Sequence, residues 1–251
     1  MELADSPDMA ADDLVESTSR LLLSAHSGDD ADPSDAQSIP LHLGYQIQDR
    51  MTRLRTASGD RIVGYKIGLT TAASRAPFSA DEPGSGRLFA SAVLKSPADV
   101  VLDGRQLMFE VEVGLLVGSA TEPSGRLCAA IEIVSSRWRG GAPSVGAWAA
   151  DNAMATAAII GADGVEGSAL PTAPRAVARL GNQTWEGRGG PVAENVAWLH
   201  RHLARRGVTA PPDCLVLTGA ILGPHPVPPG GGLLTARVDG VGSVEVRFGP
   251  K

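Results

Sequence analysis

The sequence predicts an α+β protein in which a helical N-terminal segment precedes a compact β barrel or sandwich. Three observations carry this. The first 58 residues contain two stretches whose apolar residues recur at helical spacing. After Gly59 the texture changes to short β-type runs separated by Gly and Pro. Strands do not alternate regularly with long helices, as βαβ units would require. The expected division is a helical segment over 1–58, with a mobile linker near 28–38, and a β domain over 59–251. At 251 residues, 43% of them apolar, the chain is long enough to bury a full core.

Ser6-Pro7 reads as the cap and first-turn proline of a first helix, carried by Met9, Leu14, Val15 and the run Leu21, Leu22, Leu23, and ending near Gly28. The following GDDADPSDAQS has almost nothing to bury, hence the expected linker. A second helix is expected over 40–57, with Leu41, Tyr45, Met51 and Leu54 close to one stripe. Strands are expected over 61–69, 100–102, 109–117, 129–135, 215–218, 233–238 and 243–248, the last two joined by the hairpin signal Asp239-Gly240. Further helices are expected over 144–160 and 191–206. The second has Pro191 at its start, Val196, Leu199 and Leu203 on one face and Gly207 at its end. His200 and His202, two apart on this charged helix, are expected to face solvent.

The formal charge of −6 comes mostly from residues 1–35, which hold ten acids against Arg20, so the body is nearly neutral. Aromatics make up only 4% of the chain and do not interleave with a basic stripe, which argues against nucleic acid as a partner. Cys128 and Cys214 form neither a disulfide framework nor a zinc spacing, and a reducing cytoplasm is the expected home. No apolar run approaches the roughly 18 residues of a membrane span, and the acidic N-terminus does not read as a secretory signal.

The informative segment is Phe109-Glu110-Val111-Glu112-Val113-Gly114-Leu115-Leu116-Val117. Alternation puts Glu110 and Glu112 on one face of a strand, about 7 Å apart at the backbone. Such a pair could simply face water. The continuation, however, is apolar on both parities, as in a strand buried on both faces. Buried carboxylates repel and are costly to desolvate unless a cation or protons compensate. Glu132, alone within Ala129-Ala130-Ile131-Glu132-Ile133-Val134, is a third acid in the same setting. Three carboxylates on aliphatic strands suit a hard divalent cation that wants oxygen donors on a rigid scaffold. Lys66, in Gly64-Tyr65-Lys66-Ile67-Gly68-Leu69, is either an outward-facing strand lysine or a cation held beside an anionic site.

The motifs Gly64-Tyr65-Lys66-Ile67-Gly68-Leu69-Thr70, Glu110-Val111-Glu112, Ala130-Ile131-Glu132-Ile133-Val134-Ser135-Ser136-Arg137, Ala150-Asp151-Asn152-Ala153, Leu217-Thr218-Gly219-Ala220 and Gly242-Ser243-Val244 stand in register along most of the chain. In this they resemble the 2-keto-4-pentenoate hydratase family, which includes 4-oxalocrotonate decarboxylase and belongs to the fumarylacetoacetate hydrolase superfamily. The resemblance implies a mixed β roll with flanking helices, a homo-oligomer, and magnesium or manganese held by Glu110, Glu112 and Glu132, with Lys66 as the active-site lysine. It implies a 2-hydroxydienoic or 2-oxo acid as small-molecule substrate, ketonised through an enolate and then hydrated. Leu69, Thr70 and Asn152 are candidate substrate contacts, and by the resemblance Asp151 and Asn152 belong to the active-site network; Thr218 and Gly219, at a strand end, are candidates to offer a hydroxyl and a backbone N–H to a substrate carboxylate. His225, in Gly223-Pro224-His225-Pro226, is a candidate rim contact.

Two departures bear on the reaction. Where family hydratases have an acid after the proline of an Asp-x-Pro-Asp motif, this chain has Gly84, within Asp81-Glu82-Pro83-Gly84. Ala147 stands where a second family aspartate is expected. Asp81 or Glu82 would then have to take over proton transfer, a role typically worth a hundred- to ten-thousand-fold. Three readings follow: a hydratase-type lyase; the same metal-enolate site turned to decarboxylation, tautomerisation or cyclisation of a larger 2-oxo or 1,3-dicarbonyl compound in secondary metabolism; or a silent subunit that assembles with a pathway enzyme.

Overall fold

A computed structural model of the protein describes residues 7–25, 31–36, 38–117, 125–166 and 169–250. Its helices are α1 (Pro7–Ala25), α2 (Leu41–Ala57), the single turn α3 (Ala72–Arg75), α4 (Val145–Ala150) and α5 (Val192–Arg205). Its strands are β1 (Ile62–Gly68), β2 (Gly84–Phe89), β3 (Val93–Lys95), β4 (Ala98–Leu102), β5 (Met108–Leu116), β6 (Arg126–Val134), β7 (Ala155–Glu166), β8 (Arg175–Leu180), β9 (Gln183–Arg188), β10 (Leu215–Pro226), β11 (Gly232–Val238) and β12 (Gly242–Pro250). Among the described residues no helix is long and apolar enough to cross a membrane. Ser6 and residues 28–30, singled out above as a cap and part of a linker, lie outside them.

The chain forms two compact units, Met1–Asp60 with Ser136–Met154, and Arg61–Ser135 with Ala155–Lys251. The boundary near residue 58 therefore needs a second crossing, because 136–154 pack with the N-terminal helices. In this helical unit Leu22, Ile39, Ile47, Met51, Trp138 and Ala147 are buried together. The α2–α4 approach needs glycine: a Cβ on Gly44 would fall 2.2 Å from the Gly146 carbonyl oxygen. Residues 31–36 are not a free linker. Ala31 is buried and bridges Trp138, its N–H donating to the Arg137 carbonyl (2.8 Å) and its carbonyl accepting from the Arg139 N–H (2.9 Å), and Pro33–Ala36 form a short 3₁₀ turn. Two small apolar residues, Ala31 and Ala36, are buried in the core of this unit and dock an otherwise polar segment.

In the larger unit seven strands run in the order β2-β1-β10-β5-β6-β7-β3 and five in the order β4-β12-β11-β8-β9. The main core joins Tyr65, Phe109, Val111, Ile131 and Ile133 of the first sheet to Ala178, Leu234, Val244 and Phe248 of the second, with Val196, Leu199 and Leu203 of α5. This is the expected α+β class with a mixed, curled sheet and flanking helix. The odd-numbered residues of β5 and β6 enter this core, so the even-numbered ones face the opposite side of the seven-stranded sheet, where Leu88, Ala130, Ala158, Leu215 and Leu217 form a smaller apolar patch.

The helix expected over 144–160 is α4 alone. Asn152, Ala153 and Met154 have φ of 51°, 55° and 63°, which ends it, and 155–166 run on as β7 against β6. The run Ala155-Thr156-Ala157-Ala158 is locally helix-compatible, and sheet pairing overrides that preference. Strands β2, β3, β8 and β9 carry too little alternation of large apolar side chains to stand out locally.

Candidate functional site

Glu110, Glu112 and Lys66 share the smaller face of the seven-stranded sheet with Glu132. In the β5–β6 register Glu110 lies opposite Glu132 and Glu112 opposite Ala130, while Lys66 on β1 pairs with Leu217 of β10. Glu112 and Glu132 are fully buried, Lys66 is 3% exposed, and Glu110 is half-buried. Among the described residues these three glutamates are the one acidic group able to hold a metal ion, each offering an oxygen within 4.8 Å of the others. The Lys66 ammonium lies 3.4 Å from Glu132 Oε1.

Hydrogen bonding leaves much of this acidity uncompensated. Glu112 Oε2 accepts from the Gly219 N–H at 2.7 Å, but Glu112 Oε1 and both Glu132 oxygens are buried without a hydrogen bond. Such orphans are rare in native proteins and mark a missing partner. Burial pushes all three carboxyls up: Glu110 above its ordinary value against the pull of Lys66, Glu112 well above it, and Glu132 to about 7. Burial pulls Lys66 down, but Glu132, Glu110 and Glu112 outweigh it and hold the ammonium above its usual range. Three carboxylates and one ammonium leave two surplus negative charges, which one divalent cation would cancel. Oxygens sharing a magnesium ion at about 2.1 Å stand roughly 3–4 Å apart, so small side-chain adjustments would close the trio on an ion. The residues present therefore fit a hard dication.

This has a consequence for pH. The folded metal-free protein keeps a proton on Glu132 up to about pH 7, which the unfolded chain gives up near 4.5. In that window the native state binds more protons, so its stability falls as pH rises, most steeply between about 4.5 and 7. Melting temperatures of metal-free wild type and Glu132→Gln across this range are expected to diverge, wild type losing more. Parallel curves would contradict the assignment.

The remaining candidates divide clearly. Thr70 and Gly219 are neighbours: Gly219 has φ +106°, and a Cβ there would lie 2.7 Å from Thr70 Cγ2. Thr218 Oγ1 donates to the Val113 carbonyl (2.9 Å), and the Gly219 N–H is committed to Glu112, so both donors serve the protein rather than standing free for substrate. Leu69 holds a left-handed φ of 56°, its carbonyl accepting from Arg75 Nη1 at 3.0 Å. Asp81 is exposed. Glu82 accepts from Trp198 Nε1 (3.1 Å) and pairs with Arg205 (3.0 Å), which ties it to α5. Gly84 pairs with Gly68 in the β1–β2 ladder.

His225 is half-buried and its ring is engaged by aromatic neighbours. It stacks on Trp185 (4.9 Å) and lies 5.5 Å from the ring of Phe109, whose side chain enters the main core on the other face of β5 from Glu110. His202 is buried rather than solvent-facing, stacked on Trp198 at 4.6 Å, and burial lowers it to about 4, whereas His200 is exposed. Asp151 is fully buried in the helical unit. Its carboxylate is taken by the Arg137 guanidinium, the Arg137 N–H (2.8 Å) and Ser136 Oγ (3.2 Å), and burial still holds it above its ordinary value. Asn152, buried beside it, occupies the left-handed turn that ends α4. Within the larger unit, a residue outside the sequence expectations stands next to the Gly219 N–H that serves Glu112: Asn195 of α5 donates through Nδ2 to the Thr218 carbonyl at 2.7 Å. Its position among Val192, Val196 and Leu199 on the apolar side of the helix was the available signal.

Comparison with known proteins adds an independent finding. The chain is 31% identical to a 2-keto-4-pentenoate hydratase of Burkholderia vietnamiensis over 82% of its own length and 85% of the relative's. It is 29% identical to a 4-oxalocrotonate decarboxylase of a Pseudomonas species, covering 81% and 84% of the two chains. Among solved structures, 4-oxalocrotonate decarboxylase from Pseudomonas putida G7, complexed with magnesium and adipate, superposes with a TM-score of 0.86 at 23% identity, covering 94% and 97%. No protein-family model matches the chain.

Proposed function

Because the chain belongs to the family of 2-keto-4-pentenoate hydratases and 4-oxalocrotonate decarboxylases, we propose that it is a divalent-metal-dependent lyase acting on a small 2-hydroxydienoic or 2-oxo acid. One observation carries the reading: three glutamates are buried together with unsatisfied oxygens, faced by one buried lysine. Glu110, Glu112 and Glu132 would hold Mg2+ or Mn2+, which supplies a Lewis acid for the 2-oxygen and carboxylate of the substrate and favours charge developing on that oxygen. Glu110 is the most open of the three. Lys66 offsets surplus carboxylate charge, so that an anionic substrate is not repelled from an acidic pocket.

Hydration also asks for a proton-transfer group near the metal. Position 84 has no side chain with which to move a proton, and Glu82 is engaged by Trp198 and Arg205. This favours, as a second reading, a decarboxylation or a tautomerisation that needs the metal and Lys66 but no acid at position 84. Cytoplasmic localisation and a homo-oligomeric assembly accompany the proposal.

The test is turnover with Mn2+ or Mg2+ present. 2-Hydroxypenta-2,4-dienoate is expected to lose its dienol absorbance, with the hydrated 4-hydroxy-2-oxo acid as product, if the chain hydrates. Carbon dioxide release from 2-oxo acids bearing a second carboxylate identifies the second reading. Metal-loaded protein that turns over neither class contradicts both.

A further inference from the structure

We propose that Asn195 is a positioning residue for the carboxylate trio, acting through the Thr218–Gly219 peptide; this rests on the metal-centre reading above. The Thr218 carbonyl and the Gly219 N–H belong to one peptide unit. Asn195 Nδ2 donates to its carbonyl end at 2.7 Å, and its N–H end donates to Glu112 Oε2 at 2.7 Å. Two hydrogen bonds through one peptide polarise each other, so the Asn195 bond strengthens the one to Glu112. With Oε2 so anchored, the other Glu112 oxygen, which has no hydrogen bond, is presented to the cluster.

The peptide needs such a restraint. Gly219 sits at φ +106°, where glycine resists rotation less than any other residue. No side chain can replace it, since a Cβ would meet Thr70 at 2.7 Å and Asn195 Nδ2 at 3.2 Å. Thr218 Oγ1 on the Val113 carbonyl fixes the residue before the peptide but not the peptide plane. A flip would turn the N–H away from Glu112 and bring a carbonyl oxygen, a further partial negative charge, toward three carboxylates. Asn195 is the bond that opposes the flip. Partners that orient a metal ligand typically account for about 10- to 100-fold in metal affinity.

The test titrates Mn2+ into wild type, Asn195→Leu, Asn195→Asp and, as a control on the same helix, the exposed Glu194→Ala, following free Mn2+ by electron paramagnetic resonance, with the melting temperature of each metal-free protein recorded. Asn195→Leu removes the donor, and Asn195→Asp keeps the shape but sets a carboxylate against the Thr218 carbonyl. Both are expected to weaken Mn2+ binding about 10- to 100-fold, with metal-free melting temperatures close to wild type and Glu194→Ala unchanged. Asn195 is half-buried on a surface helix, and either variant that folds suffices. Affinities within threefold of wild type overturn the inference and leave the metal centre standing. A fall matched by Glu194→Ala also overturns it. Wild type that binds no Mn2+ overturns the metal-centre reading itself.

Discussion

Glu132→Gln is expected to lose Mn2+ affinity by at least about 100-fold and to become inactive at sub-millimolar metal, while its metal-free form becomes more stable than wild type. The two effects share one cause. Glu132 is fully buried, neither of its oxygens accepts a hydrogen bond, and burial raises it to about 7. Its charge is therefore a burden on the fold that the Lys66 ammonium offsets only in part until a dication arrives. A shift from 4.5 to about 7 corresponds to about 3 kcal/mol at most between the two protonation states, so a gain of about 1–3 kcal/mol above pH 8 is the expected scale. Calorimetric unfolding of both metal-free proteins, with an Mn2+ titration, checks it. A variant that is destabilised and binds Mn2+ normally would mean Glu132 is a structural residue satisfied in some other way.

Lys66→Met is expected to give the opposite signature. The side chain keeps nearly the same length and an apolar stem but loses the ammonium that lies 3.4 Å from Glu132 Oε1. Removing one partner of a buried ion pair typically costs about 3–5 kcal/mol, so metal-free Lys66→Met should be markedly less stable at neutral pH. With three carboxylates no longer offset by the ammonium, the site gains attraction for a dication, and Mn2+ affinity is expected to hold or rise once the carboxyls are ionised. Turnover, in contrast, should fall by about 10²- to 10³-fold, the scale of losing one preorganised electrostatic contact at the reacting centre. Loss of Mn2+ binding together with turnover would reduce Lys66 to a brace for the ligands.

What could be read in the residues, and what could not, follows from the range of each interaction. Glu110 and Glu112 were legible because strand alternation is a local rule, and their apolar neighbours implied burial that the structure bears out for Glu112. That Glu132 stands directly opposite Glu110 is a matter of β5–β6 register, which no local pattern sets. The resemblance between motifs bridged that gap. The Ala-rich stretch after Asn152 could serve a helix or a strand, and only its pairing with β6 decides. Asp151, an acid in a family motif, is held by Arg137 fourteen residues away in the helical unit. His202 carries a polar label but stacks on Trp198. Asn195 acts on Glu112 through a peptide in another element, the kind of relay that sequence spacing cannot express.

All of this depends on whether one dication occupies the space among Glu110, Glu112 and Glu132. The most direct measurement is anomalous diffraction from a crystal grown with Mn2+. The expected result is a single strong peak per chain, about 2.2 Å from one oxygen of each glutamate and with the Gly219 N–H still on Glu112 Oε2. A map with no peak among the three carboxylates at millimolar Mn2+, or one in which they pair with other side chains, would contradict it.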